Sequence, residues 1–89
     1  MSYYNDYSYK DKISPKETLC RAYMEQAREA REQNNDLPSK EEFYYLSEAA
    51  KIRTELARLS VGEARTMQMR RLAELKERRE EIKRALYSI

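Results

Sequence analysis

A chain with one glycine and two prolines in 89 residues has almost no material for turns. A β fold needs turn residues at short, regular intervals, so this composition points to long helices. Charged residues make up 38% and the apolar set 40%, a mix suited to charged amphipathic helices. At this length there is room for a single domain.

Three stretches mark where helices begin. Ser14-Pro15-Lys16-Glu17, Ser39-Lys40-Glu41-Glu42 and Ser60-Val61-Gly62-Glu63 all read S-x-x-E. In such a box the Ser oxygen accepts the N3 amide hydrogen. The Glu reaches back to the Ser amide and sets negative charge at the positive end of the helix. Pro15 suits the first helical position, where its missing N–H is not needed.

The first predicted helix covers about 15–34. Leu19, Cys20, Tyr23, Ala27 and Ala30 share one face, with Met24 at its edge. Arg21, Glu25, Arg28, Glu29 and Glu32 fall on the other side. Asn34-Asn35-Asp36-Leu37-Pro38 then breaks the helix. The second covers about 40–59. Its main apolar stripe is Tyr45, Ala49, Ile52, Leu56 and Leu59, and a weaker strip holds Phe43, Leu46, Ala50 and Ala57. Two strips imply neighbours on two sides.

The third helix covers about 61–87, roughly 40 Å at 1.5 Å per residue. Its stripe runs through Val61, Ala64, Gln68, Leu72, Leu75, Arg79, Ile82, Leu86 and Ile89, with heptad spacing from Gln68 onward. That gives it coiled-coil character. The main stripe of the second helix, extended, lands on polar Glu63, Thr66 and Arg70, and Gly62 disfavours a helix interior. The two are therefore read as separate. The weaker strip does continue through Val61 and Ala64, which keeps a continuous bent helix open as the alternative.

Residues 1–13 differ from the rest. Tyr3, Tyr4, Tyr7 and Tyr9 sit among Ser, Asn, Asp and Lys with no helical period. This stretch is read as a flexible tyrosine-rich arm ahead of a single helical domain at 14–89. The expected fold is thus an all-α three-helix bundle with a flexible N-terminal arm.

Catalysis finds little support in the residues. Histidine, the commonest general base, is absent. Cys20, the one cysteine, falls on an apolar face without a partner base, and one glycine cannot build a phosphate-cradling loop. Glu77, Glu80 and Glu81 are interleaved with Lys76, Arg78 and Arg79, the pattern of a solvated ion-paired face. No metal or cofactor is expected. The N-terminus lacks an apolar leader and no apolar run is long enough to span a membrane, so a cytoplasmic location is expected.

A noncatalytic protein-binding role fits best: a small adaptor, regulator or inhibitor that occupies a surface of another macromolecule. The expected interface is the stripe Leu72, Leu75, Arg79, Ile82, Leu86 and Ile89 on the third helix, whose end should overhang a compact core. A two-fold homodimer is one way to cover it. Tyr44, within the run Phe43-Tyr44-Tyr45-Leu46, and the arm tyrosines are candidate partner-binding aromatics. The alternative is a nucleic-acid-binding accessory protein contacting its ligand through Arg70, Arg71 and Arg78. Against it, 18 basic and 16 acidic residues leave a net charge of only +2.

Overall fold

The computed structural model describes residues 2–87, with side chains described from Pro15 onward. It contains three helices, α1 (Ser2–Gln33), α2 (Lys40–Leu59) and α3 (Gly62–Tyr87), and no strand among the described residues. The all-α three-helix bundle is therefore the observed architecture.

The boundaries of α2 and α3 follow the sequence signals, but α1 does not start where its box predicted. The helix begins at Ser2 and carries Pro15 inside it. Proline withholds one amide hydrogen, here the one that would bond the carbonyl of Asp11, four residues earlier. The side chains of Tyr3, Tyr4, Tyr7 and Tyr9 lie outside the described residues.

The α1–α2 link shows how a chain without spare glycines turns. Asn35 and Asp36 both adopt the left-handed conformation, with φ of 56° and 63°. Asn and Asp tolerate that region better than other side chains. The Asp36 amide donates to the Arg31 carbonyl at 2.8 Å, and Asn34 Nδ2 donates to the carbonyls of Leu37 and Pro38. Ser39 then caps α2, its Oγ accepting the Glu42 amide hydrogen at 3.2 Å.

Between α2 and α3 only Ser60 and Val61 intervene, and the single glycine makes the reversal. Gly62 has φ +60°, and no atom lies within 4 Å of where a Cβ would stand. The constraint there is backbone conformation rather than space. The continuous bent helix is thereby excluded. Ser60 Oγ donates back to the Leu56 carbonyl at 2.7 Å.

The second helix is the middle of the molecule. Both α1 and α3 pack on it, and neither packs backbone to backbone on the other. Pairings such as Glu17 with Arg53 and Cys20 with Ala49 run in opposite order along α1 and α2, as do Arg53 with Gln68 and Glu42 with Arg78 along α2 and α3. Each neighbour is therefore antiparallel to α2, and α1 and α3 run in the same direction.

The core follows this order. Cys20 and Ala27 come from α1, Leu46, Ala49, Ala50 and Leu56 from α2, and Leu72, Leu75 and Ile82 from α3. Alanines on both sides of α2 let its neighbours approach closely. The two apolar strips read in the sequence of α2 thus correspond to its two contacts.

Candidate functional site

Three polar residues occupy core-facing positions, one on each helix. Arg53 of α2 is buried, 5% exposed, in the strip that otherwise holds Leu46, Ala50 and Ala57. Its Nη1 donates to Glu17 Oε1 of α1 at 3.0 Å and to Gln68 Oε1 of α3 at 2.8 Å. Gln68 Nε2 in turn donates to Glu17 Oε2 at 3.4 Å. A buried guanidinium is costly unless paired. Here one carboxylate and one amide share the task and tie α1 to α3 through α2.

Glu17 draws two further cations. Arg21 Nε lies 3.8 Å and Arg71 Nη1 3.9 Å from its Oε1, both too far for a hydrogen bond. Burial works to raise the Glu17 pKa. Arg53, Gln68 and Arg21 outweigh it and hold the carboxyl below its ordinary 4.5.

A second pair joins α3 to the start of α2. Arg78 grips the Glu42 carboxylate with two hydrogen bonds, at 2.8 and 2.9 Å, and donates to Glu81 and to the Asp36 carbonyl. The Glu42 side chain is 3% exposed. Hydrogen bonding to Glu42 raises the Arg78 pKa further above its already high value, against the opposing effect of burial.

Above these pairs lies a groove of about 690 Å³ between α1 and α3, with α2 beneath it. Met24, Ala27, Leu46 and Leu75 supply its apolar surface. Arg21, Arg28 and Arg31 line the α1 side, and Arg71 and Arg78 the α3 side. Arg53 also lines it, so six arginines face three glutamates, Glu25, Glu42 and Glu74. Arg28 is bound on its own helix by Glu25 and by Glu32, the latter at 2.6 Å.

The stripe expected to form an interface is largely used within the chain. Leu72, Leu75 and Ile82 are buried at 5% exposure or less in the common core. The expectation of an overhanging apolar strip is corrected accordingly. The last turn of α3 lies beside the start of α2, where the Phe43 and Tyr87 rings pack at 5.3 Å. Leu86 is exposed, and Ile89 lies outside the described residues. Arg79, the charged member of the stripe, is half-buried. It donates from Nε to Ser47 Oγ at 2.9 Å, and its guanidinium stands 5.0 Å from the Phe43 ring centroid.

Tyr44 is exposed, with its ring edge-on to Tyr45. Arg71 and Arg78 both line the groove, whereas Arg70 borders a shallow depression with Glu63 and Met67. The three arginines grouped from the sequence therefore do not form one surface. Cys20 is completely buried. Its thiol donates to the Ala49 carbonyl (S···O 3.7 Å), and burial pushes its pKa up. No described helix is long and apolar enough to cross a membrane.

Sequence reasoning missed the groove and the Glu17–Arg53–Gln68 network. For the network a signal was present. Arg53 and Gln68 both sit at helical steps from apolar neighbours, inside apolar strips. No family model, curated protein or solved structure matches the chain.

Proposed function

We propose that this chain is a noncatalytic protein-binding module, and that the groove between α1 and α3 takes an acidic, apolar-faced helical segment of another protein. The observation that carries this reading is the pairing of an apolar floor with Arg21 on one wall and Arg71 on the other, neither within hydrogen-bonding distance of an acid. A helix laid in such a groove gains from burying its apolar face and from charge complementarity at the rims. The groove is preferred over the rest of the α3 stripe because Leu72 and Ile82, which do not line it, are already covered within the chain.

A nucleic acid is the weaker occupant. Arg78 is held by Glu42 and Glu81, and Arg70 lies away from the groove. A ligand that binds by phosphate contacts needs cations left free on one continuous face.

Site-specific photo-crosslinking in lysate of the native host tests the proposal. A benzophenone side chain is placed at Met24, in the groove, or at the exposed Met69, which lies outside it. A discrete adduct from Met24 is expected. It should resist nuclease, weaken in Arg71→Glu and be missing from Met69. Equal labelling from both positions, no adduct, or an adduct lost after nuclease treatment overturns the proposal.

A further inference from the structure

We infer that Arg21, Arg53 and Arg71 form a carboxylate-binding subsite in the groove, which receives a glutamate or aspartate of an amphipathic helix from another protein. This rests on the docking role proposed for the groove and names the contact that would give it specificity.

Charge balance is the first argument. Three guanidiniums surround one carboxylate, that of Glu17. Only Arg53 is within hydrogen-bonding distance of it, and Glu17 also accepts from Gln68. Arg21 and Arg71 therefore keep donors for a second anion. Arg53 itself is incompletely satisfied, since its buried Nε has no hydrogen-bond partner. A cation with so little solvent and one shared counter-ion gains from any further negative charge placed nearby.

Position is the second argument. Arg21 stands on one wall and Arg71 on the other, with side chains 75% and 48% exposed. A planar carboxylate between two guanidiniums accepts from both, the geometry for which arginine is suited. An anion held there would also add to the Glu17–Gln68 link between two helices whose backbones do not approach each other.

The apolar lining beside these arginines favours an amphipathic helix over a free anion. Seven residues separate Arg21 from Arg28 on α1, and seven separate Arg71 from Arg78 on α3. Because α1 and α3 run in the same direction, the walls carry two arginine levels about 10.5 Å apart. A helix laid along the groove with its apolar face toward Met24 sets an acidic residue at the level of Arg21 and Arg71. The second level is already neutralised by Glu25, Glu32, Glu42 and Glu81. The first is the one left for a partner.

The test uses the full chain and three synthetic helical peptides that share one leucine face. They carry glutamate, glutamine or lysine at the heptad positions that flank it. Arginine Nε–Hε NMR signals are followed in titrations with each peptide, with inorganic phosphate and with a single-stranded oligonucleotide. The glutamate peptide should shift Arg21 and Arg71, bind about ten-fold tighter than the glutamine peptide, and lose about ten-fold in affinity in Arg71→Gln or Arg21→Gln. Both arginines are exposed enough for their substitution to leave the fold intact.

Equal binding of the glutamate and glutamine peptides overturns the subsite. So does phosphate shifting Arg21 and Arg71 where the glutamate peptide does not, or tighter binding by the oligonucleotide. The two proposals fail separately. A failed crosslink with the peptide response intact removes the partner reading alone, and a normal crosslink without arginine shifts removes the subsite alone.

Discussion

Glu17 illustrates how one side chain takes on a role that its local sequence does not announce. Its position in S-x-x-E suggested a cap, yet its carboxylate faces Arg53 and Gln68 across the core. Removing the charge leaves Arg53 buried without its counter-ion, so Glu17→Gln should lower unfolding free energy by about 3 kcal/mol in urea titrations. Replacing Arg53 with Met in the same chain should recover most of that loss, because the orphaned charge is gone. Additive losses in the double variant would show that the pair is not coupled.

The same carboxyl predicts a pH response. Its folded pKa lies below the ordinary 4.5, so the unfolded chain takes up the proton first as pH falls. Its stabilisation should be complete above about pH 4.5 and fade below it as pH drops through the lowered folded value. Acid titrations of stability should be flatter in Glu17→Gln than in the parent over that window. An unchanged acid limb would contradict the assignment.

At the scale of elements, local chemistry made some features of the fold readable and long-range pairing hid others. The extents of α2 and α3 and the Ser39 cap were legible, since a cap depends on residues within one turn of each other. The box at Ser14 misled, since α1 runs straight through it. Glu17 has a partner 36 residues away, and the Ser60 hydroxyl turns back into the last turn of α2. The α3 stripe was read correctly as apolar but assigned to an outside partner. Nothing in its spacing tells whether a facing helix belongs to the same chain.

Two substitutions probe the links between helices. Ser39→Ala should cost about 1 kcal/mol through loss of the cap. Gly62→Ala should cost about 1–2 kcal/mol, because a Cβ disfavours its left-handed conformation although it meets no neighbour. A Gly62→Ala chain as stable as the parent would mean that α3 starts elsewhere.

For the molecule as a whole, the order of packing decides stability and site together. With α2 holding contacts on both sides, its amides should exchange with solvent most slowly, ahead of those in α1 and α3. Native-state hydrogen exchange checks this, and slowest exchange in α1 or α3 would refute it. The groove could not be read in advance, because it comes from α1 and α3 failing to close on each other over Arg53. Arg21 and Arg28 looked like an ordinary outer face when α1 was considered alone.

The shared direction of α1 and α3 has a mechanical consequence. Glu17 of α1 lies beside the C-terminal half of α2, and Tyr87 of α3 lies beside its start. A pull applied between them runs lengthwise along all three helices, so neighbours must slide past one another rather than peel apart turn by turn. Sliding breaks the Glu17–Arg53 and Glu42–Arg78 attachments together. A tether joined at these two points would therefore load the domain in shear, the direction in which rows of parallel contacts resist longest.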